Sequence, residues 1–166
     1  PDNAFANAKW LASYYAKLGV ASSPGSSSDT KLTEDGNYVL LGTGYYYLST
    51  TADNCDDSYV KSNKTIKIDG NVTICLNGKQ IQKVGTTTGP LFEVPYGKTL
   101  TLTDHTGNGK IIGDNYGSGV YVNGGTLNLY SGQITNSQGQ TGDKSNKYGG
   151  GVYVNSGNLN MYGGFI

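Results

Sequence analysis

The chain contains no arginine. Its 12 basic residues are all lysine and balance 12 acidic ones, for a formal net charge of zero. That absence argues against nucleic acid as a partner, because neutralising phosphates dominates such binding. It also removes the residue best suited to gripping phosphate or carboxylate with two parallel hydrogen bonds. Elimination chemistry on acidic polysaccharides, which uses arginine as a strong base together with calcium, loses its base. Histidine is nearly as scarce: His105 is the only one. A histidine cluster for zinc is therefore excluded, and a Ser-His-Asp arrangement would rest on one residue with no serine placed beside it. No run of 18 apolar residues exists, so no helical membrane span is expected. Neither a phosphate loop of the G-x-x-x-x-G-K-[ST] type nor any cofactor motif is present.

Glycine and tyrosine are abundant, at 26 and 14 residues. They recur in order. Gly119 to Ile134 (GVYVNGGTLNLYSGQI) returns as Gly151 to Ile166 (GVYVNSGNLNMYGGFI), with an offset of 32 and 11 of 16 positions identical. A repeat of this length marks a stacked architecture whose units bury their apolar faces against neighbours. Within each copy the apolar residues alternate: Val120 and Val122 point one way and Tyr121 the other, then Leu127 and Leu129 oppose Asn128 and Tyr130. Period two means strand. Asn123-Gly124-Gly125 and Ser131-Gly132 supply the bends.

Weaker copies extend upstream. Phe92 to Leu102 aligns with Val120 to Leu129 once one residue is inserted. Val72 to Leu76 aligns with Leu100 onward at an offset of 28, Thr65 to Ile68 precede it, and Tyr38-Val39-Leu40 with Tyr45 to Leu48 form a first coil. The pattern predicts an all-β fold, a right-handed, single-stranded parallel β-helix of about four to five rungs over 32–166. The expected inward residues are Ile66, Ile68, Val72, Ile74, Leu76, Phe92, Val94, Leu100, Leu102, Val120, Val122, Leu127, Leu129 and their counterparts in the last copy. Rungs lie about 4.8 Å apart. Tyr121 should therefore stack on Tyr153, Tyr130 on Tyr162, Asn123 on Asn155 and Asn128 on Asn160 as like-on-like ladders.

The amino-terminal segment differs. Phe5, Ala8, Leu11, Ala12, Tyr15 and Leu18 recur at helical spacing, which predicts an amphipathic helix over 1–20 that caps the open core. Docking on a neighbouring domain is the alternative. Residues 21–31, with Ser-Ser-Pro-Gly-Ser-Ser-Ser, read as a flexible connection. The chain starts at Pro1 and stops as the second copy ends, and both ends read as cuts in a longer protein.

Cys55 and Cys75 are the only thiols. Alternation places Cys75 outward between Ile74 and Leu76, and a bridge to the polar loop Thr51 to Asp57 would suit an oxidising, extracellular setting. Two unpaired cysteines are the alternative. The same loop gathers Asp53, Asp56 and Asp57, but their spacing matches no calcium loop. Metal binding is not expected. Glycoside hydrolysis needs two carboxylates across a cleft. Asp69, Glu93, Asp104 and Asp114 are the candidates, with Glu93 at the position equivalent to Tyr121 and Asp104 in the turn Thr103 to Gly109, although aspartates in such turns commonly bond nearby backbone instead.

Taken together, Tyr38-Val39-Leu40, Val72 to Ile81 (VTICLNGKQI), the repeated Gly-Val-Tyr-Val and the closing Leu-Asn-Met-Tyr-Gly-Gly-Phe-Ile resemble pectate-lyase-like right-handed β-helix segments. Such segments occur in large secreted or wall-attached proteins of Gram-positive gut bacteria. The resemblance covers roughly 32–166 and implies an adhesin-like, secreted or cell-surface role; no lyase-site residue matches. The expected function is a non-catalytic extracellular binding or spacer module for a glycan or a surface protein. Tyr121, Tyr130, Tyr153 and Tyr162 are its candidate stacking platforms, and Asn123 and Asn155 their hydrogen-bond partners. The insertion Thr135 to Tyr148 marks a candidate binding side. A carbohydrate-active enzyme fragment using Glu93 and Asp104, and a module that self-associates end to end, are the alternatives.

Overall fold

The computed structural model describes residues 16–18, 32–35, 38–48, 59–62, 64–83, 89–113, 117–136 and 150–166. They form a parallel β-solenoid of about three complete turns, with partial turns on either side. About three turns are thus shown among the described residues, where four to five rungs were expected. Among the described residues twelve strands run in chain order: β1 (Ala16–Leu18), β2 (Leu32–Asp35), β3 (Tyr38–Leu48), β4 (Tyr59–Ser62), β5 (Thr65–Cys75), β6 (Gln80–Lys83), β7 (Phe92–Pro95), β8 (Thr99–Thr103), β9 (Lys110–Gly113), β10 (Val120–Leu129), β11 (Gln133–Asn136) and β12 (Val152–Met161).

Two sheets wrap the core. The larger follows β1-β3-β5-β7-β10-β12, with β8 continuing the β7 rung between β5 and β10. The smaller is β11-β9-β6-β4. All pairings in this stack are parallel except β2, which lies antiparallel to the first part of β3.

The register follows the expected offsets. Val72 pairs with Leu100 and Ile74 with Leu102. Val120 and Val122 pair with Phe92 and Val94, while Leu127 and Leu129 pair with Leu100 and Leu102. The offset changes by one between those two sets, and the extra residue sits in the turn Pro95 to Lys98, closed by Lys98 N–H donating to Pro95 O at 3.1 Å. Long strands such as β10 bend at mid-length. Gly124 takes φ 90° there. A Cβ on Gly125 would lie 2.5 Å from Pro95 O and 2.7 Å from Lys98 O, so the rung below leaves no room for a side chain.

All thirteen individually named inward residues are buried. A third wall escaped the sequence pattern: Ile81, Ile111 and Ile134 from the smaller sheet complete the core. Each is the only core-facing apolar residue of its strand, beside Gln80 and Gln82, Lys110 and Ile112, or Gln133 and Thr135, so no pair of apolar residues marks the alternation. Tyr46 also enters the core, its hydroxyl donating to Gly42 O at 2.7 Å. The expected amino-terminal helix and the serine-rich connection lie outside the described residues, apart from Ala16–Leu18, which pairs in parallel with Tyr46–Leu48.

Candidate binding face

A parallel stack puts equivalent outward residues in columns. In the first half of the rung the column runs Leu40, Lys67, Glu93, Tyr121, Tyr153. In the second half, two columns run side by side. One is Asn71, Thr99, Thr126, Asn158; the other is Tyr45, Thr73, Thr101, Asn128, Asn160. Every residue in these two columns is uncharged. Sequence reasoning named Asn128 and Asn160 but missed the threonines, although the alignment that located the inward leucines also fixes the outward residues beside them.

The expected ladders form. Tyr121 and Tyr153 stack with ring centroids 5.4 Å apart and planes inclined at 16°. Tyr130 and Tyr162 stack at 4.6 Å and 20°. Asn160 Nδ2 donates to Asn128 Oδ1 at 2.9 Å, and Asn128 Nδ2 donates in turn to Thr101 Oγ1 at 3.3 Å. Asn155 Nδ2 donates to Asn123 Oδ1 at 3.3 Å, even though the backbone register slips so that Asn123 pairs with Ser156. A ring stacked on its neighbour turns one face into the stack. Each pairing occupies one face of each ring, while Tyr130 and Tyr162 remain largely exposed.

Of the candidate acids, Glu93 and Asp104 differ in setting. Glu93 lies in the first-half column, half-buried between Lys67 and Tyr121, with Lys67 Nζ 4.0 Å from Oε1. Lys67 also sits 5.0 Å from the centre of the Tyr38 ring. Asp104 is buried, and its carboxylate is saturated by the protein. Oδ1 accepts from Gly78 N–H at 2.7 Å, Oδ2 from Gly109 N–H at 2.8 Å, and the Thr106 hydroxyl lies 3.2 Å from Oδ2.

Asp104 belongs to a series. Asn77 Nδ2 caps Leu48 O on the preceding rung, Asp104 takes Gly78 N–H, and Ser131 Oγ accepts from Asp104 N–H at 2.6 Å and donates to Asp104 O at 2.9 Å. Each turn is tied to its predecessor by one polar side chain. That requirement accounts for a buried aspartate without any role in acid–base chemistry.

Cys75 departs from expectation. It lies off the apolar core, as alternation implied, but it is fully buried rather than outward and accessible. Tyr47 and Thr103 flank it in the ladder, and His105 Nδ1 lies 3.6 Å from its sulfur. Alternation assigns a side chain to a face; it does not say what folds over it. Burial, as the leading cause, pushes the thiol pKa up, and the nearby Asp104 charge adds to this. Cys75 is a free thiol, and Cys55 lies outside the described residues.

Among the described residues no group of three or more histidine, cysteine, aspartate or glutamate side chains could hold a metal ion. Asp53, Asp56 and Asp57 lie outside them, as does most of the Thr135 to Tyr148 insertion. No helix among the described residues is long and apolar enough to cross a membrane. No protein-family model, curated protein or solved structure matches this chain.

Proposed function

We propose that this chain is a non-catalytic, adhesin-like β-solenoid module, secreted or displayed on a cell surface, that binds a glycan across the outer face of its larger sheet. One observation carries the reading. From β5 onward the second half of each rung presents in-register columns of threonine and asparagine with no charged member. Neutral hydroxyl and amide groups match the hydrogen-bonding chemistry of neutral sugars, and a sheet surface offers them over an extended area. Tyr121, Tyr130, Tyr153 and Tyr162 contribute hydroxyls and rings beside these columns, with Asn123 and Asn155 next to them. A carbohydrate-cleaving fragment is less well supported, because the oxygens of Asp104 are engaged by Gly78, Gly109 and Thr106.

Presenting the purified chain to a broad glycan and mucin array, while following release of reducing ends, tests the reading. Saturable retention without cleavage is expected, with loss when Tyr121 and Tyr153 are both changed to alanine. Cleavage would overturn it and return attention to Glu93. End-to-end self-association is a second reading, favoured by the exposed apolar residues Val154, Met161, Phe165 and Ile166 on the last rung. Light scattering that grows with protein concentration would support it.

A further inference from the structure

Stacked secondary amides fix a distance. Wherever N–H donates to C=O from one layer to the next, the layers repeat at about 4.8 Å, in a β-sheet or in any other solid built by that contact. One step of the asparagine column is this contact, Asn160 Nδ2 donating to Asn128 Oδ1, and in the next step Asn128 Nδ2 donates to the Thr101 hydroxyl instead. A primary amide carries two N–H donors and two acceptor lone pairs. The column takes one of each from Asn128, leaving one donor and one acceptor for a partner. Thr73 and Thr101 extend the same period with hydroxyls, and Thr99 and Thr126 repeat it two residues away along the strand, at roughly 6.6 Å.

Polysaccharide chains of N-acetylhexosamine pack in solids through their acetamido groups, and the same N–H to C=O contact sets their layer repeat. Such a solid presents columns of amides at the period of this protein's own amides, and like this face it is uncharged. A soluble oligosaccharide has no layer repeat to match. We infer that the threonine and asparagine columns form a docking face for the amide-stacked surface of a solid N-acetylhexosamine polysaccharide; this rests on the glycan-binding reading above and names its substrate class.

Co-sedimentation of the whole 166-residue chain with crystalline chitin, with crystalline cellulose and solid de-N-acetylated chitosan as controls, tests it. Retention on chitin is expected to exceed that on either control by roughly tenfold, the equivalent of one to two net hydrogen bonds. It should hold from low to high salt, because no charge pair is involved. Changing Asn128 and Asn160 together to aspartate keeps their shape but stacks two negative charges, and should lower retention roughly tenfold. Thr73→Lys, outside the asparagine bonds, should do the same without disturbing the ladder, with circular dichroism and melting confirming the fold. Equal retention on chitin and cellulose, or undiminished retention of Thr73→Lys, would overturn the inference. Binding of a soluble glycan on the array without retention on chitin would overturn it while leaving the binding reading intact. Silence on both would sink the two together.

Discussion

Leu127 and Leu159 occupy the same place in two copies of one sequence, yet Leu127 is 0% exposed and Leu159 36%. The same holds for Val122 at 0% against Val154 at 39%, and for Leu129 at 0% against Met161 at 50%. The backbone register between the copies is nearly continuous, so local structure does not explain the difference. What differs is the neighbour. The inner copy has a rung on both sides; in the described residues the outer copy has one on one side only. Burial in a solenoid is therefore a property of the stack, and the repeat motif supplies only the residue able to use it.

The largest expected effect breaks that comparison directly. Leu127→Ala should destabilise the fold by about 3–4 kcal/mol, the transfer term plus an inner cavity that rungs on both sides keep open. Leu159→Ala, in the same motif, should cost about 1 kcal/mol or less, because the side chain is already partly in water. Urea unfolding of the two variants measures both. Equal losses would mean that something outside the described residues covers the outer copy.

Asp104 gives the next largest effect. Its replacement by alanine leaves the buried N–H of Gly109 and the half-buried N–H of Gly78 without acceptors and should cost about 2–3 kcal/mol. Ser131→Ala, which removes the next tie in the series, should cost about 1 kcal/mol. Near-zero losses in the same unfolding assay would deny the turn ties their structural role and restore Asp104 as a candidate acid.

Much of this was legible from residue order because a parallel stack turns alignment into geometry. Once Val120 was matched with Val152, both the core residues and the Tyr121–Tyr153 and Tyr130–Tyr162 contacts followed from spacing alone. The third wall was not legible, since Ile81, Ile111 and Ile134 are each the single core-facing apolar residue of their strand, whereas the equally short β7 carries both Phe92 and Val94. The burial of Cys75 was hidden for another reason: His105, which lies against it, comes from the turn of the following rung, and no pattern within β5 reports that approach. The threonine columns were legible in the same alignment, because Thr99, Thr101 and Thr126 alternate with the inward leucines Leu100, Leu102 and Leu127.

The tyrosine ladder sharpens the comparison at smaller scale. Tyr130 and Tyr162 stack more closely than Tyr121 and Tyr153, at 4.6 Å against 5.4 Å. A double-mutant cycle to alanine at Tyr130 and Tyr162 should return a coupling of about 0.5–1.5 kcal/mol, with the looser pair nearer the lower end. A coupling near zero at both pairs would leave the tyrosines without a structural task and strengthen their place in binding.

The smallest effect concerns Cys75, an outward position that the stack has closed. Burial raises the pKa of its thiol in the folded state above the unfolded value. The protonated thiol therefore contributes stability that is fully present below the unfolded pKa. That contribution declines as pH rises past the unfolded value and is gone once the folded pKa is passed. Wild-type stability should accordingly fall on the alkaline side, and Cys75→Ala should flatten the first part of that fall. Tyr46, whose pKa burial also raises, should account for a later part that Tyr46→Phe removes. Thiol labelling reads the same burial at neutral pH: the native chain should expose no reactivity from Cys75, and unfolding without reductant should release it. A bridge to Cys55 would instead keep both sulfurs silent in denaturant until reductant is added, and the alkaline slope assigned to Cys75 would vanish with its thiol.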